Sequence, residues 1–118
     1  MKIVSFGDTK KGTDNIENED SMLIDDARNL YAIADGVTIP EGGKEASSRA
    51  VTYLENIFVN ELKKAIEHVN DKILEDKNSL PIGYTTIVAS AIKSSILEVA
   101  NVGDTPAFLI RGNTITMC

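Results

Sequence analysis

The stretch Asn18-Glu19-Asp20-Ser21-Met22-Leu23-Ile24-Asp25-Asp26-Ala27-Arg28-Asn29-Leu30-Tyr31-Ala32-Ile33-Ala34-Asp35-Gly36 contains two short apolar runs joined by a polar turn and bounded at both outer ends by carboxylates. Ser21 to Asp25 and Leu30 to Ala34 read as strands, and Asp26-Ala27-Arg28-Asn29 has the composition of a turn, so the segment is expected to fold back as a hairpin. Asp20 opens the outgoing strand and Asp35 closes the return strand, so antiparallel pairing brings the two acidic clusters to the same end. Carboxylates presented beside a turn are a usual source of oxygen ligands for a hard cation. Gly36 lets the backbone turn and offer its carbonyl as one more. Most Asp-Gly pairs are ordinary acidic turns, and the hairpin alone leaves both readings open.

Outward from the hairpin, Lys2 to Phe6 reads as a short first strand, and Gly7 to Glu19 has the Gly, Asp, Thr and Asn content of a loop. From Lys44 to Lys77, Ala46, Ala50, Val51, Leu54, Ile57, Phe58, Leu62, Ala65, Ile66, Val69, Ile73 and Leu74 recur at helical spacing. That region exceeds the ~8–20 residues of an ordinary globular helix, and a break near Asn60, with Asn60 as cap and Glu61 in the first turn, makes two helices of it. Pro40-Glu41-Gly42-Gly43 leads into the helices and Asn78-Ser79-Leu80-Pro81 ends them. Strands are predicted at Thr85 to Ile92, Ile96 to Val102, Ala107 to Ile110 and Thr114 to Met117, with turns at Lys93-Ser94-Ser95 and Arg111-Gly112-Asn113. Strands, then helices, then strands imply an α+β fold, with helices layered on antiparallel sheet, in a single domain spanning 1–118.

Composition narrows the chemistry. A chain of 118 residues has room for one core. With 42% hydrophobic and 25% charged residues it sits near globular averages. The net charge of −6 repels a polyanion, so nucleic acid is not an expected partner. No apolar run approaches the ~20 residues that span a bilayer and no leader is evident, so no membrane association and a cytoplasmic location are expected. With one histidine and one cysteine, His68 and Cys118, zinc sites and Cys-His dyads are poorly supported, and any chemistry must rest on carboxylates. His68 lies within the helical pattern and reads as a solvated position.

Taken in order, Asn18-Glu19-Asp20, Ala32-Ile33-Ala34-Asp35-Gly36, Tyr84-Thr85-Thr86 and Val99-Ala100-Asn101-Val102-Gly103-Asp104-Thr105 make the chain resemble the metal-dependent serine/threonine protein phosphatases of type 2C. The resemblance implies the N-terminal half of an αββα sandwich, two antiparallel sheets flanked by helices. It implies two Mn²⁺ or Mg²⁺ ions bridged by an aspartate, activating a water against phosphoserine or phosphothreonine in a protein. Carried over residue by residue, Asp35 takes the bridging role and the Gly36 carbonyl faces one metal. Glu19 and Asp20 surround the pair, with Asp35 and Asp20 as the catalytic carboxylates. Asp104 matches an aspartate linked to a third, more weakly held metal, although a plain turn residue ending a strand is nearly as good a reading. Oxygen-only ligation suits Mg²⁺ or Mn²⁺ better than zinc.

The sequence departs from the family pattern in three ways. Asn15 stands where the family usually has a phosphate-binding arginine, which removes a bidentate fork. Thr38 and Ile39 replace paired glycines, and Tyr84 replaces a glycine before the Thr-Thr pair. Family members are about twice as long, and their C-terminal half supplies further metal-ligating aspartates. This chain is therefore expected to hold metal weakly, and its unpaired edges to favour self-association or a separate C-terminal half as partner. The alternative to a phosphatase is a non-catalytic, phosphatase-like binding or regulatory module.

Overall fold

The computed structural model describes residues 2–118. Asp20–Asp25 (β1) and Leu30–Asp35 (β2) form the expected hairpin. Two helices follow, Gly43–Ile57 (α1) and Leu62–Asp76 (α2), and then the strands Ile87–Lys93 (β3), Ile96–Val102 (β4), Phe108–Arg111 (β5) and Thr114–Met117 (β6). The first four strands make one antiparallel sheet in the order β1-β2-β3-β4, and β5 with β6 makes a second, two-stranded sheet.

Alternation along the strands decides which face the helices cover. Leu23, Leu30, Ala32, Ala34, Ile87, Ala89 and Ala91 are buried on one side of the sheet, where they meet Ala50, Val51 and Leu54 of α1 and Leu62, Ala65, Ile66 and Val69 of α2. The many alanines let the helix backbones approach closely. The opposite face carries Met22, Ile24, Ile33 and Val88, which line a groove of about 550 Å³ roofed in part by residues 3–9 and by Phe108. Ile33 is 51% exposed and Phe108 58% exposed, so this face is only thinly covered. No helix among the described residues is long and apolar enough to cross a membrane.

Local chemistry explains the connections. Asn29, with φ 53°, closes the first hairpin, and Ser94 and Ser95, at 52° and 61°, form the two-residue turn between β3 and β4. Arg28 ties the hairpin tip to the helical layer. Its guanidinium bonds Asp25 at 2.7 Å and donates to the Phe58 carbonyl at 3.1 Å and the Glu55 carbonyl at 2.6 Å, satisfying carbonyls at the end of α1. Arg49 on α1 pairs with Asp76 at the end of α2 at 3.1 Å, and the Tyr53 hydroxyl donates to the same carboxylate.

Three expectations are corrected. Lys2 to Phe6 joins no ladder among the described residues; it runs over the open sheet face with Phe6 91% exposed, because no neighbouring strand offers it a partner. Asn60 does not cap α2: Glu61 holds that position, and the Asn60 side chain instead accepts from the Lys93 amine. The third strand starts at Ile87 rather than Thr85, which makes only an isolated bridge to Gly36. His68 is exposed on α2, as read from the sequence.

Among the described residues Ser47 is the one buried polar side chain. Its hydroxyl donates to the Glu19 carbonyl at 2.6 Å and lies 2.9 Å from the Ser21 hydroxyl, fastening α1 to the start of β1. Ser47→Ala removes one of the two donors to that carbonyl, which keeps the Gly36 N–H at 3.1 Å, and a loss of about 1 kcal/mol in urea unfolding is expected. An unchanged midpoint would show that the carbonyl finds water instead.

Candidate metal centre

Strand register brings the two acidic clusters together. Asp20 pairs directly with Asp35 across the β1–β2 ladder. Leu23 and Ala34 face the helices, so alternation turns the Asp20 and Asp35 side chains to the opposite, open face. The Gly36 N–H donates to the Glu19 carbonyl at 3.1 Å, and the Thr86 N–H donates to the Asp35 carbonyl at 3.0 Å, so the ends of β1 and β2 and the approach to β3 converge at this point.

Side chains hold the carboxylates in place. The Asn18 Oδ1 accepts the Asp20 N–H at 3.0 Å, and its Nδ2 donates to the Thr9 hydroxyl at 2.9 Å. Thr38 donates to Glu19 Oε1 at 2.8 Å. The Lys44 amine donates to the Asp20 carbonyl at 2.9 Å and the Ser21 hydroxyl at 3.2 Å, steadying the first residues of β1. Asp104 sits in the turn after β4, behind Gly103 with φ 114°.

The electrostatics mark this end of the sheet. Loss of hydration pushes the Asp35 carboxyl above its ordinary range, helped by a hydrogen bond with the Asp20 carboxyl and then by the negative charges of Asp20, Asp104 and Glu19. The carboxylates named in the sequence are thus near enough to act on one another, and nothing cationic offsets them at Asp35. A hard cation accepting oxygen ligands from both Asp20 and Asp35 would relieve the repulsion.

The donor set therefore fits Mg²⁺ or Mn²⁺ in chemistry, with Glu19, Asp20 and Asp35 and the Gly36 carbonyl able to contribute oxygens. It is not a finished cage: among the described residues no three Asp, Glu, His or Cys side chains converge in ligating geometry. Asn15 lies in an exposed turn, its N–H donating to the Gly12 carbonyl at 3.3 Å. The residues that sequence reasoning passed over are the hydroxyls around the carboxylates, Thr38, Ser47, Thr86 and Thr105. Thr86 and Thr105 carried a signal only as parts of the ordered pattern, and Thr38 only as a replacement for a glycine.

Residues 10–118 match the family model of Protein phosphatase 2C. The chain belongs to the protein phosphatase 2C family. It is 29% identical over 125 residues to Serine/threonine phosphatase stp of Listeria welshimeri serovar 6b, an alignment covering 91% of this chain and 50% of that protein. The fold superposes with a TM-score of 0.79 on the PPM Ser-Thr phosphatase MsPP of Mycobacterium smegmatis, solved in complex with cacodylate, at 28% identity over 94% of this chain and 50% of that one. The catalytic domain of the phosphatase PstP, solved with two manganese ions, shares the fold at a TM-score of 0.78 and 24% identity, over 92% of this chain and 51% of that one. The chain thus spans about half the length of the phosphatase 2C relatives it matches.

Proposed function

We propose that this chain contributes the N-terminal share of a metal-dependent phosphatase site acting on phosphoserine or phosphothreonine in proteins. The observation that carries this reading is the register pairing of Asp20 with Asp35 beside Glu19 and Gly36, in a chain of the phosphatase 2C family. Asp35, Asp20, Glu19 and the Gly36 carbonyl would hold the cations, with Asp35 shared between them and Asp104 contributing more weakly. When bound, two hard cations lower the pKa of a water held between them and neutralise charge on the phosphoryl group. The protein's task is to fix its carboxylates, and here Thr38 donates to the Glu19 carboxylate while Asn18 and Thr86 accept the backbone N–H groups of Asp20 and Asp35. Each hard cation takes ~6 oxygens, more than these residues supply, so Mn²⁺ binding by this chain is weak and turnover slow.

Hydrolysis of a phosphothreonine peptide by the 118-residue chain, with and without Mn²⁺, tests the reading. Turnover that requires Mn²⁺ is expected. A folded chain that neither binds Mn²⁺ nor hydrolyses the peptide at millimolar metal would overturn it. Asn15, in place of a phosphate-binding arginine, favours a second reading, a phosphatase-like module that binds a phosphoprotein without cutting it. Mn²⁺-independent capture of an uncleaved phosphopeptide, unaffected by Asp35→Asn, would select that alternative.

A further inference from the structure

Asp104 has no place in the β-ladder that aligns Asp20 with Asp35. The β3–β4 pairing ends with Ile87 opposite Val102, and the chain then turns through Gly103. What holds the turn against β2 is one side chain. The Thr86 hydroxyl lies 2.8 Å from the Thr105 hydroxyl and accepts the Asp35 N–H at 3.3 Å. Its methyl packs so close to Gly103 that a Cβ added there would fall 2.5 Å from it. On the far side, Asn101 Nδ2 donates to the Thr105 carbonyl at 2.7 Å, so the turn is clamped on both flanks of Asp104.

We infer that Thr86 is a positioning residue that sets the distance between Asp35 and Asp104 by joining the backbone of one to the turn carrying the other. Its hydroxyl has one proton and two lone pairs, enough to accept from Asp35 N–H while bonding Thr105 in either direction. A β-branched side chain is stiff at χ1, so its methyl and hydroxyl contacts are made together. The role rests on the metal-site reading above for its consequence, but the clamp itself can be observed without metal.

The test compares wild type with Thr86→Val, which keeps the shape and methyl and removes the hydroxyl, Thr86→Ser, which restores the hydroxyl, and Asp104→Asn. Backbone amide 15N order parameters of residues 103–105 in the metal-free 118-residue chain should fall in Thr86→Val and return toward wild type in Thr86→Ser. Mn²⁺ affinity, followed by loss of the free Mn²⁺ paramagnetic-resonance signal, should fall about tenfold in Thr86→Val, the scale of losing an outer hydrogen-bond partner of a ligand. Thr86→Val combined with Asp104→Asn should bind no more weakly than Asp104→Asn alone, because both act through the same carboxylate. Wild-type order parameters at 103–105 in Thr86→Val, or additive losses of affinity in the double variant, would overturn the inference. If the wild-type chain binds no Mn²⁺ at all, the metal-site reading fails, and the order parameters alone decide whether Thr86 is the clamp.

Discussion

Asp35→Asn is expected to reduce Mn²⁺-dependent phosphopeptide hydrolysis below detection, by about a thousandfold or more where a baseline can be measured, and at the same time to stabilise the metal-free chain. The two effects have one cause. The Asp35 carboxyl is held above its ordinary range by loss of hydration and then by Asp20, Asp104 and Glu19. A neutral amide of the same shape removes the repulsion and, under the proposed function, removes a ligand for a cation. With solvent screening allowed for, the gain in folding stability is no more than about 1 kcal/mol. For a domain of this size that is a rise in Tm of about 4 °C.

The pH dependence follows in sign. A carboxyl whose pKa is higher in the folded than in the unfolded chain binds its proton more readily when folded, so metal-free wild type gains stability as pH falls from neutral through the raised Asp35 pKa. The gain is complete near the unfolded carboxylate range, about pH 4. Below that range the trend reverses. Asp76 is held low mainly by Tyr53, Asp25 mainly by Arg28 and Asp26 mainly by Ser5, and protonating them removes those contacts. Asp35→Asn should lack the first limb and keep the second. Thermal melts of both proteins between about pH 2 and 8 without metal check this, and identical profiles would show that Asp35 is fully solvated.

The largest effect on folding is expected at Gly43, the first residue of α1. Alanine is the better helix former by ~1 kcal/mol, so propensity alone favours Gly43→Ala. Packing opposes it far more strongly. A methyl at Gly43 would lie inside contact distance of the Val37 carbonyl and within 2.7 Å of the Val37 nitrogen and 2.6 Å of Glu19 Oε2. The backbones cannot yield as a flexible side chain would. A methyl at Gly36 would likewise run into the Gly43 carbonyl and come within 2.8 Å of the Glu19 carbonyl. The two glycines therefore let the end of β2 and the start of α1 touch backbone to backbone, beside the acidic cluster. Overpacking of this kind costs about 3 kcal/mol or more, a large share of the ~5–15 kcal/mol that holds a domain together. Urea unfolding of Gly43→Ala should show a greatly lowered midpoint or no folded baseline. A midpoint equal to wild type would mean that α1 is free to slide away from β2.

What could be read from the residues was whatever rests on local pattern. The hairpin from Asp20 to Asp35 follows from alternation and a polar turn, and β4 and β6 run over the predicted Ile96–Val102 and Thr114–Met117. Lys2 to Phe6 and Asn60 misled for the same physical reason. A short apolar run becomes a strand only if another strand offers its edge, and a capping residue caps only if the chain enters the helix there. Neither condition is written in a window of five residues. The sequence by itself also determined the kind of chemistry, since Glu19, Asp20, Asp35 and Asp104 are hard oxygen donors and the chain has only one histidine and one cysteine. Only the tertiary structure decided their relation. Asp20 and Asp35 became direct partners through register, Glu19 was aimed by Thr38, and Asp104 was tied to Asp35 by the hydroxyls of Thr86 and Thr105. Those contacts join residues up to 51 positions apart, and a hydroxyl carries no sequence signal of the partner it will find.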